Sequence, residues 1–170
     1  EPFDASDLEY QWNSVVLNEE LTPKLPTTLM SGGKLPKFEK IDDYTVRYTF
    51  PVPNSYWLLT LTQVDEWGAK RVFAPAHYES QFHVDHVGRD KAEKMAKDAG
   101  FDSWVDYYLD TNKYARPKAN PDFPVLNAWI LTKGFEGPLA TAERNPYFYG
   151  VDPEGNQLPY IDSIRSTYVQ

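Results

Sequence analysis

Lys37-Phe-Glu-Lys-Ile41-Asp42-Asp43-Tyr44-Thr-Val-Arg-Tyr-Thr-Phe50 is the stretch from which the fold is read. Its second arm alternates strictly: Tyr44, Val46, Tyr48 and Phe50 share one face, and Thr45, Arg47 and Thr49 share the other. Period-two alternation puts every second side chain on the same side of a strand. The two aspartates between the arms are turn formers. Residues 37–50 are therefore expected to form an antiparallel hairpin turning at Asp42-Asp43, with Tyr44, Val46, Tyr48 and Phe50 packed on helices. Pro51 and Pro53 end the strand, because neither can donate to a ladder.

Upstream, residues 4–18 read as a helix. Asp4 stands at the cap and Asp7 at the third helical position, close to a capping box. Leu8, Trp12, Val15 and Val16 then make one apolar stripe. Residues 22–36 hold three prolines and Gly32-Gly33, the composition of a loop. Downstream of the hairpin, residues 55–63 predict a short buried helix carrying Tyr56, Trp57, Leu58, Leu59 and Leu61. Pro75 opens another, its missing N–H costing nothing in a first turn. Asp90 and Glu93 predict a capping box for a helix that lines Ala92, Met95, Ala96 and Ala99 on one face and stops at Gly100. Asp102 is expected to cap the next, with Trp104, Val105, Tyr108 and Leu109 inward. Pro117, Pro121 and Pro124 mark an extended connector, beyond which 128–132, 139–144 and 161–169 read as strands. The outline is α+β: helices and an antiparallel hairpin first, a strand-rich end after the connector.

Composition narrows the function classes. The chain has 170 residues, 17 Lys+Arg against 25 Asp+Glu, and a net charge of −8. Such an acidic surface repels phosphate backbones, which argues against nucleic-acid binding through a basic patch. No run approaches the roughly 18 consecutive apolar residues of a membrane-spanning helix. With no Cys there is no disulfide framework, thiolate nucleophile or Cys-based zinc site. Half of the net charge lies in the first 34 residues, which hold six acids and two bases. Glu1-Pro2-Phe3 shows neither an initiator Met nor a signal peptide, so the chain is expected to be a piece of something longer.

The candidate chemistry is sparse. His77, His83 and His86 surround Glu79 and Asp85, but no fourth ligand is nominated, so a cluster without metal is expected. Glu19-Glu20, Asp42-Asp43 and Asp65-Glu66 are sequence neighbours, which do not converge on a substrate from opposite sides. Asp152-Pro-Glu-Gly-Asn156 reads as a Pro/Gly turn, since it lacks the ligand spacing of a calcium loop. No catalytic residue, metal or cofactor is expected. What remains is aromatic surface: 12 Tyr, 9 Phe and 5 Trp, suited to binding peptides or sugars. Trp129, following Asn127 directly after the connector, is open to two readings, core packing or the wall of a cleft.

Arg144-Asn-Pro-Tyr-Phe-Tyr149-Gly-Val-Asp152-Pro-Glu-Gly-Asn-Gln-Leu-Pro-Tyr-Ile-Asp162 closely resembles the Arg-Asn-Pro-Tyr signature of the family 5 extracellular solute-binding proteins. These are the oligopeptide/dipeptide-type receptors of ABC importers. Phe3-Asp-Ala-Ser-Asp7, Ile41-Asp-Asp-Tyr-Thr-Val46, Phe73-Ala-Pro-Ala-His77-Tyr and Pro124-Val-Leu-Asn-Ala-Trp129 are similar to further family segments, in the family's order. Ala76 departs from the usual Lys there, and Ala128 from the usual Pro.

The resemblance implies an internal fragment of a periplasmic-binding-protein type II fold. Residues 1–116 would be the small α+β subdomain, and 117–170 the linker and strands returning to the first ligand-binding lobe. It implies a monomer that captures a peptide or oligosaccharide outside the cytoplasmic membrane and passes it to ABC importer permease subunits. The parent would be periplasmic or lipid-anchored at the cell surface. Asn127 and Trp129 would border the ligand. A carbohydrate-active enzyme domain is the competing reading from another class.

Overall fold

The structure is a computed structural model, and it describes residues 2–61, 73–112, 120, 122–133 and 137–167. Two compact units divide it, Glu1–Val105 and Asp106–Gln170.

In the first unit, helix α1 (Ala5–Tyr10) opens on the expected capping box between Asp4 and Asp7. It runs on as a wider-wound turn, Gln11–Val16, in which the Leu17 N–H reaches back five residues to the Trp12 carbonyl at 3.1 Å. The expected single stripe is corrected here. Trp12 and Val16 are buried, but Leu8 and Val15 are only half-buried, whereas Asp7, Tyr10, Gln11 and Ser14 are buried as well. The helix is covered on two sides, so its second buried face is polar and must be hydrogen-bonded. A single 3-10 turn, Thr27–Leu29, interrupts the loop and buries Leu29.

Strands β1 (Lys37–Asp42) and β2 (Thr45–Thr49) pair antiparallel, from Lys37 opposite Thr49 to Asp42 opposite Thr45. The hairpin is as expected; its turn and one of its four packed residues are not. The register slips between Lys40 and Asp42, so the two loop residues are Asp43 and Tyr44. Asp42 instead accepts the Tyr44 N–H at 2.8 Å, and Tyr44, at the tip, is 92% exposed. Val46, Tyr48 and Phe50 keep the alternation and are half-buried. Tyr48 and Phe50, with Phe38, close on Trp12, Val16, Leu29 and Trp57. Trp12 stacks on Phe38 at 5.7 Å, and Tyr48 meets Trp12, Phe38 and Trp57 at 5.5, 5.2 and 5.1 Å. Tilted and edge-on ring pairs of this kind stabilise beyond the area they bury.

Helix α2 (Trp57–Leu61) supplies Trp57 to that core but is not itself buried. Tyr56, Leu58 and Leu59 are 74%, 74% and 59% exposed, which corrects the expected buried helix. One short turn presents only one face to the hairpin. The remainder of the predicted span, 62–63, lies outside the described residues.

Helix α3 (Ala76–Glu79) starts after Pro75 as expected. The buried Asp7 carboxylate fastens it to α1, accepting the Asp4 N–H at 3.0 Å and the Ala76 N–H at 2.8 Å. Helices α4 (Val84–Val87) and α5 (Arg89–Asp98) meet at Gly88, whose φ of 86° only glycine adopts without strain. Because α5 begins at Arg89, Asp90 lies inside the first turn and the expected Asp90–Glu93 box does not form. Ala92 and Ala96 are buried while Ala99 is exposed. The end is as expected: Gly100 N–H reaches the Lys97 carbonyl and Phe101 N–H the Ala96 carbonyl, a Schellman stop. Helix α6 (Trp104–Thr111) leaves Ser103, not Asp102, at its cap position. Trp104 and Tyr108 are buried, Val105 is half-buried and Leu109 is exposed.

In the second unit, β3 (Trp129–Lys133), β4 (Leu139–Arg144) and β5 (Ser163–Thr167) form an antiparallel sheet in the order β3-β4-β5. All three answer to predicted strands. Pro124 precedes β3 without regular structure; Pro117 and Pro121 of the connector and residues 168–169 lie outside the described residues.

Candidate functional site

The segment that leads into β3 carries the two residues named from sequence. Asn127 is exposed and Trp129, first residue of β3, is half-buried opposite Arg144 of β4. Residues 124–128 have no strand or helix of their own, and three of their carbonyls are held by Asn145. Its backbone N–H donates to the Ala128 carbonyl at 2.9 Å. Its side-chain Nδ2 donates to the carbonyls of Val125 at 3.2 Å and Asn127 at 2.9 Å. Its Oδ1 accepts the Tyr147 N–H at 2.9 Å. Asn145 is 2% exposed, and both ends of its amide are spent on backbone. In the sequence Asn145 is marked only as part of the Arg144–Asp162 signature and as an Asn before Pro at the end of a strand.

The excursion 145–162 is closed at its base by the Arg144 N–H donating to the Asp162 carbonyl at 2.8 Å. Gln157 Nε2 ties it internally to the carbonyls of Pro146 and Phe148 at 2.6 and 2.9 Å. Asp152-Pro-Glu-Gly-Asn156 is a turn, as expected. The Asp152 carboxylate accepts the Asn156 N–H at 2.7 Å, the Asn156 side-chain amide at 2.9 Å and the Tyr160 hydroxyl. The Tyr160 bond, first, and those from Asn156 hold its carboxyl down to about 2. Tyr147, Tyr149 and Tyr160 are 88%, 79% and 67% exposed, so this excursion displays aromatic surface.

Two of the three histidines, His83 and His86, do structural work. His83 is fully buried, and its Nδ1 accepts the Asp85 N–H at 3.2 Å, capping α4. Its Nε2 therefore carries the proton and donates to the Ser14 carbonyl at 2.7 Å. His86 reaches the Ser14 hydroxyl at 3.2 Å, so both rings hold the polar face of the first helix. Burial, the largest effect, pushes the His83 imidazole below its ordinary value, against the Ser14 bond and the Asp85 carboxylate at 3.8 Å. Among the described residues no group of three or more His, Cys, Asp or Glu is placed to hold a metal ion.

Of the carboxylate pairs, Glu20 accepts a forked bond from Arg89 and the Trp104 indole N–H at 3.0 Å. The Arg89 bond, then that of Trp104, keeps its carboxyl below the usual range. Asp42 closes the hairpin turn. Asp65-Glu66 lies outside the described residues. An open depression of about 470 Å³, unanticipated from sequence, is lined by Ser6, Glu9, Tyr10, Asn13, His77 and His86 among others. The first four stand at helical spacing, the signal that was available.

No family model matches the chain. It is similar to the periplasmic alpha-galactoside-binding protein of Rhizobium meliloti (strain 1021), 27% identical over 165 residues, which are 97% of this chain and 21% of the relative. Among solved structures it is similar to the oligopeptide-binding protein OppA, with a TM-score of 0.82, 36% identity, and coverage of 99% of this chain and 25% of that one. The chain thus spans about a fifth of the curated relative and a quarter of the solved structure. Both are binding proteins by name. The resemblance to family 5 solute-binding proteins read from the signature stands, and the fold is that of a segment of a periplasmic-binding-protein type II fold.

Proposed function

We propose that the chain is part of a receptor that captures oligopeptides outside the cytoplasmic membrane, in the periplasm or lipid-anchored at the cell surface, and delivers them to an ABC importer. The observation that carries this reading is the likeness, over nearly the whole chain, to an oligopeptide-binding structure. The alpha-galactoside-binding relative favours a second reading, an oligosaccharide as cargo. Exposed Tyr147, Tyr149 and Tyr160 suit either, because aromatic faces accept peptide side chains and sugar rings alike.

In this reading residues 1–116 are the small subdomain, and 117–170 the connector and strands returning to the first ligand-binding lobe. Asn127 and Trp129 line one wall of the solute site, and the receptor acts as a monomer with the permease subunits as partners. Binding, not catalysis, is the activity. Its residues support that: the carboxylates whose bonds are described above are committed to turns, caps and one ion pair. Extraction of bound small molecules from the purified full-length receptor, followed by mass spectrometry, tests the proposal. Peptides or oligosaccharides at near-stoichiometric amounts are expected. Turnover of a peptide or glycoside substrate by the purified receptor would replace this reading with an enzymatic one.

A further inference from the structure

Resting on the site just proposed, we propose that Asn145 is a positioning residue for solute binding: it sets the backbone of residues 125–128 and so aims Asn127 and Trp129. Asn145 is too buried to touch a solute. Its bonds converge on three carbonyls within four residues, those of Val125, Asn127 and Ala128. That stretch has no strand or helix to hold it until β3 begins at Trp129. A binding residue on irregular backbone is only as well placed as the groups that support it. The same amide also accepts the Tyr147 N–H, which ties the fully displayed Tyr147 to the same fixed point. The most recognisable motif of the chain is thereby a clamp behind the ligand-facing surface. Arg144 closes the loop base, Asn145 holds the incoming segment, and Tyr147 lies beyond.

Two donors and one acceptor are required of the side chain, and only an amide of this length provides them. Asn145→Asp keeps the acceptor for Tyr147 but turns an oxygen onto the carbonyls of Val125 and Asn127. Asn145→Ser keeps a small polar group and shortens the reach, and serves if Asn145→Asp fails to fold. The test is calorimetric titration of the full-length receptor with tri-alanine and with an alpha-galactoside trisaccharide. Asn145→Asp, Trp129→Ala, the double variant and Glu20→Gln are compared, with thermal unfolding of each. Glu20→Gln is the control, because it loosens bonds to Arg89 and Trp104 within the first unit and should lower the melting temperature alone.

Trp129→Ala and Asn145→Asp are each expected to weaken binding at least fivefold, with the double variant no weaker than the weaker single. An Asn145 variant that folds and binds as tightly as the parent, while Trp129→Ala does not, overturns the positioning role and leaves the site intact. Losses that multiply in the double variant also overturn it, since the two residues would then act separately. Unchanged affinity for Trp129→Ala, or no binding of either probe to the unsubstituted receptor, overturns the site reading and this inference with it.

Discussion

The hairpin β1–β2 and the sheet β3–β5 are both short antiparallel assemblies, yet they bury their side chains very differently. In β2 Val46 and Tyr48 are half-buried, Tyr48 against Trp12 and Trp57, and the residues between are exposed. In β5 all five residues are exposed, and only Ala140 of the central strand β4 is buried. Alternation in a strand reports burial where an element exists to cover one face, and the turn Gln11–Val16 and α2 provide that cover for the hairpin. The first unit is thus held by an aromatic core. The second is held by backbone pairing and the polar clamp of Asn145.

The difference between the two units is expected to be largest at Trp12. Trp12→Ala removes a buried indole in contact with Phe38 and Tyr48, and is expected to cost about 3–5 kcal/mol. Chemical denaturation should show this as a large fall in midpoint, whereas Ile164→Ala in β5 should shift it by no more than about 0.5 kcal/mol. Equal losses at the two sites would erase the distinction.

Acid should act on the first unit. His83 has a folded-state value below its unfolded one, so the unfolded chain binds more protons and stability rises with pH. Its contribution is complete above the unfolded value and is lost as pH falls through it toward the folded one. Glu20, also depressed, adds a loss at lower pH, below the ordinary carboxylate range. Thermal unfolding between pH 7 and 5 should therefore show a falling midpoint that His83→Gln flattens. A midpoint independent of pH in the parent chain contradicts the assignment.

Smaller effects sharpen the picture at the hairpin. The Tyr48 hydroxyl is buried without a hydrogen-bond partner among the described residues, and burial pushes its titration up to about 12. Tyr48→Phe removes that unsatisfied group and is expected to be neutral or to stabilise by up to about 1 kcal/mol. Tyr44→Ala, at the exposed tip, should stay within about 0.5 kcal/mol. A loss above that for Tyr44 would return it to the packed face on which alternation places it.

Local grammar was legible and its exceptions have causes. The capping box at Asp4 and Asp7, the Gly100 stop and the three late strands follow from short-range rules that tertiary contacts left undisturbed. Tyr44 failed because Ile41 slips out of register and moves the turn by one residue. Asp90 failed because α4, ending at Val87 before Gly88, already delivers the chain in position to start α5 at Arg89. Leu58 and Leu59 failed because apolar composition names no partner. The clamp was the hardest to read. Asn145 reaches back some 20 residues to Val125, and no local period encodes a contact at that separation.

In the proposed function this chain folds and supplies one wall of a solute site that the rest of the receptor completes. Pockets competent for small ligands bury roughly 70–90% of the ligand surface, which a single open wall does not achieve. Isothermal titration of the 170-residue chain with a panel of peptides and oligosaccharides tests this most directly. A cooperatively folded chain with no binding at micromolar concentrations is expected. Micromolar or tighter binding of any panel member would contradict it and place the whole site within these residues.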